Sequence, residues 1–135
     1  MIINDTCQFV FVHIPKCAGT FVRQYIQPYD ETGGAFTSRV AEHPSLGLID
    51  FVHMPLFTLR EHFPQEYQKI CSYRAFALVR DPMQRFPSSM AEFLKLKGRP
   101  IKHVETSELI MEVKSVIRFL SDHDAEEALL PHEYI

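Results

Sequence analysis

"FVFVHIPKCAGTFV", residues 9–22, decides the fold, because it changes character twice within fourteen positions. A continuous β-branched and aromatic run over 8–13 has no polar alternation, so it reads as a strand covered on both sides, the kind found in parallel sheets. It breaks into Pro15, Lys16 and small residues. Apolar residues then return at 21, 22, 25 and 26, the spacing of one helical face, until "QPYDETGG" stops them. The unit is therefore strand, tight loop, helix over 8–27, and the loop delivers a lysine where the strand ends.

Working outward, residues 28–46 read as a loop, and "LIDFVH" (48–53) as a second strand ending at His53. A helix is expected over 55–63, opened by Pro55 in a position suited to a first turn. "SYRAFALVR" (72–80) is a third strand, densest over "AFALV". In the segment that follows, Asp81 is placed to cap a helix, Pro82 to occupy its first turn and Gly98 to end it. Pro87 lies inside that helix and predicts a kink or a tight first turn. From 107 to 120, Leu109, Ile110, Val113, Val116, Ile117 and Leu120 form one apolar stripe, the mark of an amphipathic helix. The tail after it reads as holding one more helical turn, with His132 unassigned. Strands alternating with helices imply an α/β layer architecture with right-handed crossovers.

The 135 residues, 46% hydrophobic and 23% charged, fit one domain over 1–135. Residues 1–100 carry 11 basic and 9 acidic side chains, and residues 101–135 carry 3 and 8. That balance excludes a general footprint for nucleic acid or anionic membrane, so an anion site must be local. Three cysteines without a CxxC pair exclude a disulfide framework or a zinc ribbon and fit a reducing compartment. No signal peptide or membrane-length apolar run is visible, so a cytoplasmic location is expected, with homo-oligomer formation left open.

Ligands of open parallel sheets sit beyond the carboxyl ends of strands, where helix N-termini aim unpaired N–H groups outward. In "HIPKCAGT", Gly19 lets backbone approach a ligand, Thr20 offers a hydroxyl and Lys16 a full charge. In "LVRDPMQRFPSS", Arg80 stands at a strand end and Ser88 about two turns into the next helix, a guanidinium and a hydroxyl suited to a second phosphate. Arg85 reads as structural or as a surface charge, and His13 as a packed or orienting residue.

These two segments, in this order and separation, resemble the sulfotransferase family, in the branch of heparan sulfate 2-O- and 6-O-sulfotransferases and their bacterial relatives. "HIPKCAGT" is similar to the 5′-phosphosulfate loop and "VRDPMQRFPSSM" to the 3′-phosphate segment; the likeness spans about 8–93. It implies a P-loop-nucleotide-kinase-like fold, a three-layer α/β/α sandwich with a parallel central sheet. It also implies a sulfuryl donor, 3′-phosphoadenosine-5′-phosphosulfate (PAPS), used without a metal, and a hydroxyl acceptor, by analogy a carbohydrate. Carried over by position, Lys16, Cys17, Ala18, Gly19, Thr20 and Phe21 form the donor loop. Within it, Lys16 meets the bridging oxygen, and the backbone of 19–21 with the Thr20 hydroxyl holds the 5′-phosphate. Arg80 and Ser88 hold the 3′-phosphate, and His53 stands where the catalytic histidine of glycan-modifying members lies.

Two other readings compete. A P-loop kinase or NTPase needs a lysine after the glycine, whereas here Lys16 precedes Gly19. A non-catalytic nucleotide-binding module is the other, because family members usually continue with another strand and a loop where this chain stops. The chain is then expected to be either C-terminally truncated or a minimal form.

Overall fold

The computed structural model describes residues 1–38 and 40–122. They fall into two compact units, Met1–Arg80 and a second that begins at Asp81.

The first unit is built on a three-stranded mixed sheet in the order β1 (Ile2–Asn4), β2 (Phe9–Val12), β5 (Arg74–Ala77). β1 pairs antiparallel with β2, Ile2 opposite Phe11, and β2 pairs parallel with β5, Phe9 opposite Arg74 and Val12 opposite Ala77. The parallel pairing expected of the central sheet thus holds for β2 and β5, while β1 adds an antiparallel strand that the short "IIN" did not announce. Val10 and Phe11 are fully buried, as a strand covered on both sides requires. Val10 packs with Met1, Ile3, Phe36, Met54 and Leu59, against which Phe63, Tyr67 and Ile70 also lie. Phe9 and Phe11 point the other way, their rings 6.2 and 5.3 Å from that of Phe76.

Helix α1 (Gly19–Ile26) follows β2, and two further helices, α2 (Leu56–His62) and α3 (Pro64–Ser72), precede β5. The segment read as a plain loop is organised by carboxylates. Asp30 accepts the Ile3 amide at 3.2 Å and Glu31 returns its own amide to the Ile3 carbonyl at 2.9 Å, so the outer edge of β1 is occupied. Glu31 also accepts the amides of Asp5 and Thr6, at 2.7 and 3.0 Å.

The strand expected over 48–53 is corrected. Only β4 (Gly47–Ile49) is extended, and it pairs antiparallel with β3 (Ala41–His43) in a separate two-stranded sheet. The reason is Asp50, whose Oδ1 accepts the amides of Val52 (2.9 Å) and His53 (3.1 Å). A carboxylate that takes the amides two and three residues ahead folds the chain into a turn and competes with any ladder. His53 therefore lies in a turn, not at a strand end.

In the second unit α4 (Pro82–Leu96) begins as expected, Asp81 Oδ1 accepting the Gln84 amide at 3.2 Å with Pro82 in the first turn. The helix runs on through Pro87. Gly98, at φ 71°, ends it, and the Arg99 amide bonds back to the Leu94 carbonyl at 2.8 Å. Met90, Phe93 and Leu94 form its core with Phe86, Val104 and the α5 (Thr106–Asp122) residues Leu109, Val113 and Val116. Arg99 ties the two helices by ion pairs to Glu108 and to Glu112, the latter at 2.7 Å. The Leu120 side chain, the expected last turn and His132 lie outside the described residues.

Candidate active site

The parallel register puts two loops at one end of the sheet. Lys16 lies four residues beyond Val12, and Arg80 three residues beyond its register partner Ala77. The turn from β2 into α1 is held in a conformation that side chains disfavour. Lys16 has φ 61° and Ala18 φ 62°, the latter as the residue before the helix. Left-handed residues alternating with ordinary ones turn successive amides toward one concavity, an arrangement that suits anions. No side chain caps α1, and its Thr20 is exposed. Cys17 is buried, so its thiol belongs to the core and only its backbone is available to a ligand.

Gly19 also serves a purpose that the sequence did not announce. A Cβ built there would lie 2.1 Å from Cδ2 and 2.4 Å from Nε2 of His13, so glycine is required by an imidazole that occupies the space. His13 is only 5% exposed and continues the Phe11 face of β2, the two rings stacked at 5.9 Å. Its other neighbour is His53, edge-on at 4.6 Å between ring centroids.

His53 is oriented in turn by the carboxylate that makes its turn. Its Nδ1–H donates to Asp50 Oδ2 at 2.8 Å, which fixes the tautomer and leaves Nε2 as the basic nitrogen. Asp50 is buried and already holds two amides. Sequence reasoning missed it. The signal was present as a lone carboxylate interrupting an apolar stretch three residues before a histidine. A basic nitrogen backed by a buried carboxylate is the arrangement that accepts a proton from a hydroxyl.

Burial, and next the neighbouring His53, push His13 from the ordinary 6.5 down to about 4, with Asp50 pulling the other way. The folded chain therefore refuses a proton that the unfolded chain takes up below about pH 6.5. Stability contributed by the uncharged ring is complete above that pH and is lost as pH falls toward 4. Melting curves are expected to drop by several degrees between about pH 7 and about pH 4.5, and less steeply for His13→Asn. An equal slope in both proteins overturns this assignment.

Arg80 is exposed and forms no ion pair with any described residue, so a structural carboxylate partner is not its explanation among those residues. Ser88 is half-buried in the second turn of α4, in the second unit. The structure thus brings together Gly19, His13, His53 and Asp50, and puts the loops carrying Lys16 and Arg80 at the same end of the sheet. Among the described residues no helix is long and apolar enough to cross a membrane.

The model of the sulfotransferase family matches residues 1–115 of the chain. No curated protein and no solved structure matches it.

Proposed function

We infer that this chain, which belongs to the sulfotransferase family, transfers a sulfuryl group from PAPS to a hydroxyl acceptor, the acceptor being a carbohydrate. The observation that carries the reading is the His53–Asp50 pair, linked through the His13 ring to Gly19 at the start of an uncapped helix that follows a lysine loop. The residues present suit the donor. Lys16, the backbone from Cys17 to Phe21 and the Thr20 hydroxyl would hold its 5′ end, and Arg80 with Ser88 its 3′-phosphate. The fold proposed for the chain, read as a single domain over 1–135, is a three-layer α/β/α sandwich with a parallel central sheet of P-loop-kinase type. The parallel β2–β5 pair with helices between its strands supports it.

In this reading the acceptor oxygen attacks sulfur, and the bond from sulfur to the 5′-phosphate oxygen breaks. The acceptor proton passes to His53 Nε2, while Asp50 steadies the imidazolium that results. Negative charge gathers on the departing phosphate oxygen, beside Lys16 and the first amides of α1, and these donors count most when that charge develops. The three cysteines, all free, support a reducing compartment such as the cytoplasm.

The test is calorimetry and thermal shift with adenosine 3′,5′-bisphosphate. At a hundredfold excess over Kd the bisphosphate, without metal, is expected to stabilise the protein by about 2.7 kcal/mol, and ATP with magnesium by far less. Arg80→Ala is expected to weaken the bisphosphate by about tenfold or more and to leave AMP nearly unchanged. The reverse ranking of bisphosphate and ATP would establish a kinase. Tight bisphosphate binding with no transfer to any offered hydroxyl compound would favour a non-catalytic module, and transfer only to other hydroxyl compounds would overturn the carbohydrate acceptor.

A further inference from the structure

His13 is the buried titratable group that the reaction above leaves without a task. Its Nδ1 is sealed from solvent and has no hydrogen-bond partner among the described residues, an arrangement that costs stability and needs a reason. The ring is confined on three sides. Phe11 stacks on it, the Gly19 backbone leaves no room for even a methyl group, and His53 stands edge-on at 4.6 Å.

We propose that His13 is a positioning residue that sets the spacing between the donor loop and the acceptor base: its imidazole is a wedge bearing on Gly19 at the start of α1 and on the ring of His53. This rests on the assignment of those two elements to donor and acceptor chemistry. The wedge must be flat, because it passes between a backbone and a ring. It must also be uncharged beside a ring that takes up a proton, and burial together with His53 holds His13 in that state at neutral pH. A charged side chain at this point would repel the imidazolium formed at His53. An aliphatic chain of similar length would lack the planar face that fits against Phe11. Movement of the loop toward a bound donor would then be felt at His53 through one rigid body.

The experiment is a double-mutant cycle between Gly19→Ala and His13→Ala, read by melting temperature, by calorimetry with adenosine 3′,5′-bisphosphate and by the Cε1–H resonance of His53. Gly19→Ala alone is expected to lower the melting temperature by on the order of 10 °C, because its new methyl group meets the ring. The double variant is expected to recover most of that loss, the methyl group filling vacated space. In the native protein the bisphosphate should displace the His53 resonance. In His13→Ala the bisphosphate should still bind within about threefold while the displacement disappears, a change that a purely structural role for His13 would not produce. His13→Asn repeats the cycle should the alanine variant fail to fold. Additive melting temperatures, or an undiminished displacement without the ring, overturn the wedge. Absence of bisphosphate binding in the native protein overturns the donor assignment instead, and the melting cycle then decides the wedge alone.

Discussion

Lys16→Ala is expected to lower turnover by about 10²–10³-fold while the bisphosphate product still binds within about tenfold. In the proposed reading, binding of the product is shared among the loop amides, Thr20, Arg80 and Ser88, whereas Lys16 supplies the positive charge at the departing oxygen. Lys16→Arg should recover little, since a planar fork cannot take the place of a compact ammonium in a turn that already holds φ at 61°. The assay is transfer of labelled sulfate from PAPS to a panel of desulfated glycans. Equal losses in turnover and in product affinity would show that Lys16 only binds.

The second large effect concerns the base. His53→Ala and Asp50→Asn are each expected to cost about 10²–10⁴-fold in turnover with little change in bisphosphate affinity. Asn at position 50 can still accept the two amides that make the turn. It can also present its NH₂ to Nδ1, which moves the ring proton to Nε2 and removes the base. The variant should therefore melt within a few degrees of the native protein and yet be nearly inactive. Full turnover in either variant would exclude His53 as the proton acceptor.

How much of this was legible beforehand differs from element to element, for physical reasons. The strand, loop and helix around Lys16 were readable because the apolar pattern changes period there, and the α4 cap, first turn and terminal glycine were readable because each is a local rule. The two strand-end loops come out at one end of the sheet because β2 and β5 pair in parallel. The hairpin and the turn at Asp50 were not readable, since "LIDFVH" has the composition of a strand and only a side-chain bond to backbone overrides it. β1 and α3 escaped for a related reason: three residues carry no periodicity, and α3 follows α2 directly at Pro64.

The site shows the same division. The composition of the Lys16 loop pointed to an anion site, but the need for glycine at position 19 depended on His13, six residues away and in contact only after folding. The orienting role of Asp50 was hidden because a buried carboxylate and a strand interruption look alike in one dimension. No single-sequence rule pairs a histidine with its carboxylate, as their contact depends on the turn they share.

The Asp30 and Glu31 contacts along β1 have a bearing on how this protein behaves when concentrated. With that margin spoken for, backbone pairing with a neighbouring molecule is blocked at Ile3, and among the described strands the margins left for fibril-like growth are that of β5, where Phe76 is exposed, and those of the separate β3–β4 hairpin. A charged residue placed on β5 is therefore one route to a better-behaved preparation.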